Sequence, residues 1–231
     1  MLNRGDNPEP LTPVRKIPRS HRSVTGYFSF RREAQIQFES TLERDFLVRQ
    51  EFDLVVADVI SQPCRIPYRT DSGRSSHYTP DFLVRYRTNT SPLDWQRPSL
   101  LVEVKPAEAW KANWRSWSSK WKAARGYAIE NGWIFRIYDE SRIRTQALAN
   151  IQFLQRYRHL DFAAADGDWV LQTLSELGAA SVDYLVARHF QGLYRAEGLA
   201  LLWHLLAIRR LECDICAPLC GQTELWVPHD S

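Results

Sequence analysis

A short apolar segment, Leu101-Val102-Glu103-Val104-Lys105, carries an acidic and a basic side chain two residues apart. Its composition predicts a β-strand buried within a sheet. Because side chains alternate along a strand, Glu103 and Lys105 lie on one face while the two valines point into a core on the other. A second carboxylate, Asp81, stands in Tyr78-Thr79-Pro80-Asp81-Phe82, at the start of another predicted strand.

These side chains suit metal-dependent chemistry on a phosphate. Two carboxylates from neighbouring strands bind one hard cation such as Mg²⁺, with water completing the octahedron. A lysine beside that ion positions or deprotonates the attacking water and stabilises charge on a phosphate. On a predicted helix upstream, Glu39 and Glu43 are four residues apart and share a face, so either completes the site. The alternative is that Glu103 and Lys105 form only a surface ion pair, worth about 0–1 kcal/mol.

The predicted elements around these residues form an α/β fold. Apolar residues recur at helical spacing over 34–51, and Asn131-Gly132 ends a long helix that begins near residue 107. The other predicted elements are a strand at 27–32, extended segments within 54–68, strands at 78–87, 100–105 and 133–138, and a helix at 143–158. This order resembles the PD-(D/E)XK nuclease superfamily, which implies a restriction-endonuclease-like core with a mixed central sheet flanked by helices.

Four motifs make the resemblance closer, because they follow the order of the TnsA family of transposon-end endonucleases. They are Phe38-Glu39-Ser40-Thr41-Leu42-Glu43-Arg44-Asp45-Phe46, Ser61-Gln62-Pro63, Tyr78-Thr79-Pro80-Asp81-Phe82 and Glu103-Val104-Lys105-Pro106. Gly132-Trp133 and Asn150 are also similar to the family's pattern. The matches cover about residues 25–158, and four motifs in order are more specific than any one of them.

The resemblance implies an active site made of Glu43, Asp81, Glu103 and Lys105. Asp81, Glu103 and Glu43 would bind the metal together with the backbone carbonyl of Val104. The implied ion is Mg²⁺, with Mn²⁺ as a substitute. The best-known family member has Gln at the position of Glu103, so this chain is nearer the general superfamily pattern, and the number of metal ions stays open.

The family's activity implies a role in DNA transposition. The chain would cut the 5′ (non-transferred) strands at the transposon ends, while a TnsB-type transposase cuts and joins the 3′ ends. A TnsC-type AAA+ regulator would bind through the C-terminal part. The modest length is similar to the TnsA proteins of CRISPR-associated transposons. The alternatives are a stand-alone restriction or repair nuclease of the same superfamily and a non-catalytic DNA-binding or scaffold subunit.

Charge is distributed unevenly along the chain, although the net charge is only +3. Residues 1–160 carry 26 Lys and Arg against 17 Asp and Glu, whereas residues 161–231 carry 4 against 10. A basic region suits a polyanion, because neutralised phosphates release counterions. The acidic region is better suited to contact with a protein.

Within the basic part, four tryptophans recur at helical spacing and alternate with cations. The tryptophans are Trp110, Trp114, Trp117 and Trp121. This pattern is typical of a helix that faces DNA, or of a core stripe with solvated cations on the opposite side. The candidate DNA contacts are Lys111, Arg115, Lys120 and Arg125, together with Arg31 and Arg32 near the start of the folded part.

Composition changes divide the chain into three predicted parts. Residues 1–24 form a Pro-rich, flexible basic arm, residues 25–160 the endonuclease domain, and residues 161–231 a winged-helix-like domain for partner contact. Cys213, Cys216 and Cys220 have irregular spacing for zinc ligands, so buried small hydrophobic residues are the favoured interpretation. No apolar run is long enough to span a membrane, which predicts a soluble protein of the bacterial cytoplasm.

Overall fold

A four-stranded mixed sheet forms the centre of the first part of the chain. In the computed structural model, which describes residues 24–87, 97–190 and 192–228, the strand order is β3-β6-β7-β8. The strands are β3 Val56–Ser61, β6 Phe82–Tyr86, β7 Leu100–Val104 and β8 Ile134–Tyr138. Strand β6 runs antiparallel to both β3 and β7, whereas β7 and β8 are parallel. The prediction of a mixed central sheet is confirmed.

Helices cover both faces of this sheet. Helix α1, Thr41–Phe52, packs Phe46 and Leu47 against Phe82 and Val102. Helix α3, Trp114–Glu130, packs on the opposite face, where Leu83 and Leu101 point because side chains alternate along a strand. Strand β7 is therefore buried on both sides, as its apolar composition predicts, and Glu103 is buried within it.

Two hairpins flank the sheet, and one of them corrects the predicted start of a helix. Strands β1, Gly26–Phe30, and β2, Ala34–Phe38, pair antiparallel, so the helix predicted over 34–51 begins only at Thr41. The helix starts there because Ser40 caps it, its hydroxyl oxygen accepting from the Glu43 N–H. The second hairpin joins β4, Ile66–Arg69, to β5, Ser75–Tyr78, through a turn at Gly73, whose φ is +78°.

Proline and asparagine interrupt two elements that sequence patterning predicts as continuous. The strand predicted over 78–87 is divided at Thr79-Pro80 into β5 and β6, since proline has no N–H for a ladder. The helix predicted over 107–131 is divided at Asn113 into α2, Ala107–Ala112, and α3. The Asn113 side-chain amide donates to the Ala109 carbonyl at 2.8 Å, which ends the first helix.

The remainder of the chain forms a second unit, separated from the first between Ile143, the last residue of α4 (Glu140–Ile143), and Arg144. Its elements are α5 Gln146–Leu154, a 3₁₀ turn Gln155–Tyr157, α6 Ala164–Leu177, β9 Ala179–Ser181, α7 Val182–His189, a 3₁₀ turn Gly192–Tyr194, α8 Arg195–Ala207 and β10 Glu224–Trp226. Strand β10 pairs antiparallel with β9 and, through Trp226, with Glu212. No described helix is long and apolar enough to cross a membrane.

The boundary between the units lies earlier than the one expected at 160/161, because α5 packs with the second unit. The Asn150 side-chain amide in α5 donates to the carbonyls of Ile215, at 2.9 Å, and Ala217, at 2.7 Å. His204 in α8 likewise contacts the Tyr157 carbonyl at 2.8 Å. The predicted arm lies outside the described residues apart from its last residue, Val24.

Asn150→Ala should destabilise the second unit. The substitution removes two hydrogen bonds that a buried side chain donates to the carbonyls of Ile215 and Ala217, at a cost of about 0.5–1.5 kcal/mol each. Urea unfolding followed by far-UV circular dichroism measures the change. Gln172→Ala, at an exposed position of α6, is the control. Equal midpoints for the two variants would show that the Asn150 contacts do not hold α5 in place.

Candidate active site

Three predicted residues meet where β6 begins and β7 ends. Asp81 precedes β6, and its Oδ2 accepts from the Val104 N–H at 2.7 Å. The Lys105 ammonium lies 3.5 Å from Asp81 Oδ2 and 3.4 Å from Glu103 Oε1. One ammonium group therefore contacts both carboxylates, and the strand pairing predicted from sequence brings the three side chains together.

Glu103 is the most deeply buried acid of this group, with 2% of its surface exposed. The Tyr78 hydroxyl donates to its Oε2 at 2.5 Å. The Lys120 ammonium from α3 lies 3.6 Å from its Oε1. A tyrosine and two lysines thus stabilise a charge that burial in the sheet would otherwise disfavour.

Lys120 belongs to this site, in addition to the DNA-contact role expected from sequence. Its ammonium lies over three aromatic rings, 4.5 Å from the Trp117 centroid, 5.1 Å from that of Tyr78 and 5.7 Å from that of Trp121. Aromatic faces attract a cation through the ring quadrupole. This arrangement holds the ammonium against Glu103.

Glu43 occupies the first turn of α1 and closes a variant of the capping box, in which its carboxylate accepts from the N–H of Glu39, the residue before the Ser40 cap. Its Oε2 accepts from the Glu39 N–H at 2.7 Å, and its Oε1 accepts from the Ser40 hydroxyl at 3.0 Å. The Ser40 oxygen in turn accepts from the Glu43 N–H at 3.1 Å. Sequence reasoning missed this motif, although Ser-x-x-Glu before an apolar helix is its signature. The motif distinguishes the two candidate glutamates: Glu43 is buried, while Glu39 contributes a backbone N–H.

Burial and mutual repulsion raise the pKa of two carboxyl groups. Burial, followed by the charge of Asp81, raises the pKa of both Glu43 and Glu103 to about 7. For Lys105, burial lowers the pKa, but the charges of Asp81, Glu103 and Glu43 outweigh it and raise the pKa above its ordinary value. The site therefore combines a firmly charged ammonium with acids that ionise near neutral pH.

Tyr78 and Gln62 support the site, and sequence reasoning assigned no role to the tyrosine. Burial, followed by the charge of Glu103, raises the pKa of the Tyr78 hydroxyl well above its ordinary range, so it remains a donor. Gln62 adopts a left-handed φ of +49°, and its N–H donates to the Asp81 carbonyl at 2.8 Å. The second residue of the Ser-Gln-Pro motif thus holds the backbone of Asp81.

The donor atoms are of the kind that a hard cation binds, but the side chains do not surround a common position. All three acids offer carboxylate oxygens, which Mg²⁺ and Mn²⁺ prefer. Within the described ranges, no three His, Cys, Asp or Glu side chains form a group able to hold a metal ion. The contacts give the reason: the Lys105 ammonium contacts Asp81 and Glu103, and both oxygens of Glu43 serve the cap.

The cysteines show no zinc-type arrangement. Cys213, Cys216 and Cys220 are free thiols, of which the first is half-buried and the other two are exposed. Among the residues that the structure describes, none of these three cysteines belongs to a group of side chains able to hold a metal ion. Their partial exposure also differs from the buried interpretation, because they lie in the turns between α8 and β10.

The remaining candidate DNA contacts occupy different surroundings. Lys111 and Arg115 are exposed on α2 and α3, and Arg125 is exposed further along α3. Arg31 donates from its guanidinium to the carbonyls of Val56 and Asp53, each at 2.7 Å, which ties the β1–β2 turn to the sheet. Arg32, exposed beside it, shares the turn's positive φ.

In the metal-free protein, the free energy of unfolding should fall as pH rises from about 4.5 to about 7. An acid with a raised folded-state pKa binds more protons folded than unfolded across this window, so raising the pH favours unfolding. Urea midpoints measured with a chelator from about pH 5 to about pH 8 test the slope. Glu103→Gln should reduce it, whereas Glu130→Gln, at an exposed position, should not. Equal slopes for both variants would contradict the assignment.

Comparison with known proteins finds two family models that match consecutive parts of the chain. The model for the TnsA-like endonuclease N terminal matches residues 53–140. The model for the TnsA endonuclease C terminal matches residues 142–215. The first match contains Asp81, Glu103 and Lys105, and the division between the matches lies close to the division between the two units. No curated protein matches the chain.

Proposed function

Because the chain belongs to the TnsA family of endonucleases, we propose that it is the subunit of a heteromeric transposase that cuts the 5′ (non-transferred) strands at transposon ends. The reaction is hydrolysis of a phosphodiester with Mg²⁺ as cofactor. The observation that carries this proposal is the contact of one ammonium, that of Lys105, with carboxylates from two adjacent strands. A nuclease site needs this combination of negative metal ligands and a positive group for the phosphate.

Asp81 and Glu103 would hold the ion, with Glu43 and the Val104 carbonyl as further ligands. The bound ion would polarise the phosphate and lower the pKa of a coordinated water. The Val104 N–H fixes one oxygen of Asp81, and the Tyr78 hydroxyl fixes one oxygen of Glu103. Both carboxylates are thereby oriented before any ligand arrives.

Lys105 stabilises negative charge on the phosphate in this proposal. Its raised pKa keeps the ammonium protonated, so charge stabilisation is a better role for it than proton abstraction. Lys120, which also contacts Glu103, adds a second positive charge beside the site. Arg115 and Arg125 are exposed cations of the same helix, α3, and suit contact with the DNA backbone. Arg31 is not carried into this surface, because its guanidinium donates to two backbone carbonyls.

The second unit would contact the partner proteins, a TnsB-type transposase and a TnsC-type AAA+ regulator. Residues 144–231 carry 7 Lys and Arg against 10 Asp and Glu, a net negative charge that favours protein over DNA. The order α6-β9-α7-α8 followed by the Glu212 bridge and β10 supports a winged-helix-like arrangement. Such a complex acts on DNA in the bacterial cytoplasm.

Two other functions remain distinguishable by experiment. A stand-alone restriction or repair nuclease would cut without any partner. A non-catalytic DNA-binding or scaffold subunit would leave both strands intact with every partner present. The group formed by the buried Glu103 and the half-buried Asp81 and Lys105 argues against the scaffold, because a buried charge is costly to retain without a use.

Asp81→Asn should abolish only the 5′ cuts at the transposon ends. The amide keeps an oxygen for the Val104 N–H but removes the negative charge, so the rate should fall by at least about a hundredfold. The assay maps strand-specific breaks on a plasmid carrying the cognate ends, with transposase, regulator and Mg²⁺. Cuts at the 3′ ends, made by the transposase, report an intact complex.

Asp71→Asn, in the exposed β4–β5 turn, is the matched control and should cut like the parent. Unchanged 5′ cuts by Asp81→Asn would remove Asp81 from the active site. Cutting by the parent chain alone would favour the stand-alone nuclease, and loss of activity on chelation with rescue by Mg²⁺ or Mn²⁺ would support the cofactor.

A further inference from the structure

A cavity of about 560 Å³ lies beside the candidate active site, between helices α2 and α3 and strand β8. Its volume is within the range of about 300–1,000 Å³ that is typical of small-molecule sites. Aromatic and cationic side chains dominate its lining. They are Trp110, Trp114, Trp121, Lys122, Arg125 and Arg136. Arg142 and Asp139 also contribute, at the end nearest α4.

The tryptophans present fixed aromatic surface to this cavity. The Trp110 indole N–H donates to Asp139 Oδ2 at 3.1 Å, which sets the orientation of the ring. The Trp114 centroid lies 6.0 Å from that of Trp110 and 5.5 Å from that of Trp121. Trp114 nevertheless leaves 53% of its surface exposed, a large apolar area that packing within the unit does not cover.

One polar atom in the lining lacks a partner. Trp121 is 5% exposed, and its indole N–H makes no hydrogen bond to any residue that the structure describes. Buried donors are almost always satisfied, so this N–H is an exception. Because the atom has almost no accessible surface, the exposed rings and cations of the lining are the groups available to a ligand.

The charges of the lining specify the sign of that ligand. Lys122, Arg125, Arg136 and Arg142 face one carboxylate, that of Asp139. Among the described residues none of the four cations has an ion-pair partner, and all four are exposed. An anion with an aromatic part therefore complements both the charge and the rings.

We propose that this cavity binds an unpaired nucleotide of single-stranded DNA. The base stacks on the exposed Trp114, as bases stack on aromatic side chains in single-strand binding proteins, and the phosphate pairs with Arg125 or Arg136. Acidic peptides match the charge but offer no flat ring for the tryptophans. Nucleotides match both features.

The cavity is one side chain away from the candidate active site. Trp121 lines the cavity, and its ring lies 5.7 Å from the Lys120 ammonium, which contacts Glu103. A nucleotide held here would therefore belong to the strand that reaches the cutting site. This last step rests on the proposed function, whereas nucleotide binding by the cavity does not.

Binding of a labelled oligonucleotide to the full chain tests the proposal. The probe is a fluorescein-labelled single strand of about eight nucleotides, within the range of single-strand site sizes, measured by anisotropy with chelator present so that no cutting occurs. Trp114→Ala should weaken binding at least about fivefold, since one stacked base contributes about that much or more. Arg125→Ala should also weaken binding, because it removes a positive charge that pairs with the phosphate. Arg115→Ala removes the same charge from the same helix outside the cavity and should change affinity less than Arg125→Ala.

A probe without bases separates stacking from charge. An abasic oligonucleotide of equal length should bind more weakly to the parent, and Trp114→Ala should weaken it no further. Should Trp114→Ala fail to fold by circular dichroism, Arg125→Ala and the abasic probe still test the site. Parent-like binding by both variants would overturn the proposal.

Two other probes test the class of ligand. ATP competing as strongly as the strand would assign the cavity to a free nucleotide and overturn its assignment to DNA. A fluorescein-labelled acidic peptide whose binding is weakened by Trp114→Ala and is not displaced by unlabelled single strand would assign the cavity to a protein segment and likewise overturn the proposal. Because these arms contain no metal, their failure leaves the cutting assay untouched. Absence of 5′ cuts by the parent chain in the complete cutting assay, with oligonucleotide binding intact, would instead count against the nuclease assignment.

Discussion

The site depends on one deeply buried carboxylate, that of Glu103, whose charge the half-buried groups around it must compensate. Glu103 lies in a strand covered on both faces, where an isolated carboxylate would be too costly to ionise. Lys105, Lys120 and Tyr78 offset that cost, and Lys105 also compensates the charge of Asp81. The sheet, α1 and α3 are arranged so that these groups meet. Removing one partner leaves the others uncompensated, which makes the site sensitive to every member.

The part of the site that lies on strands could be predicted from sequence. Period-two alternation puts Glu103 and Lys105 on one face, and strand pairing brings Asp81 to them, so local geometry suffices. The contribution of Lys120 could not be predicted from spacing, because it comes from a helix packed across the sheet. Helical periodicity predicted the helix that carries Lys120 and its basic neighbours. Only the tertiary structure shows that the Lys120 ammonium contacts Glu103.

The elements predicted from sequence were wrong where a single residue outweighed a longer pattern. Apolar periodicity continues from α1 back through Phe38, yet the Ser40 cap stops the helix and leaves Ala34–Phe38 to pair as a strand. Pro80 and Asn113 divide two predicted elements for equally local reasons. For the four tryptophans, a regular spacing predicted one helical stripe but not the burial of each ring. Trp121 is buried while Trp114 is exposed.

The capping box at Glu43 constrains how this site can change during evolution. The hydroxyl of Ser40 and the backbone N–H of Glu39 hold the Glu43 carboxylate, so its position depends on the first turn of α1. A mutation of the uncharged Ser40 would move a candidate ligand without altering the charge of the site. Among related chains, Thr is therefore the simplest replacement for Ser40, because it keeps the hydroxyl that positions Glu43.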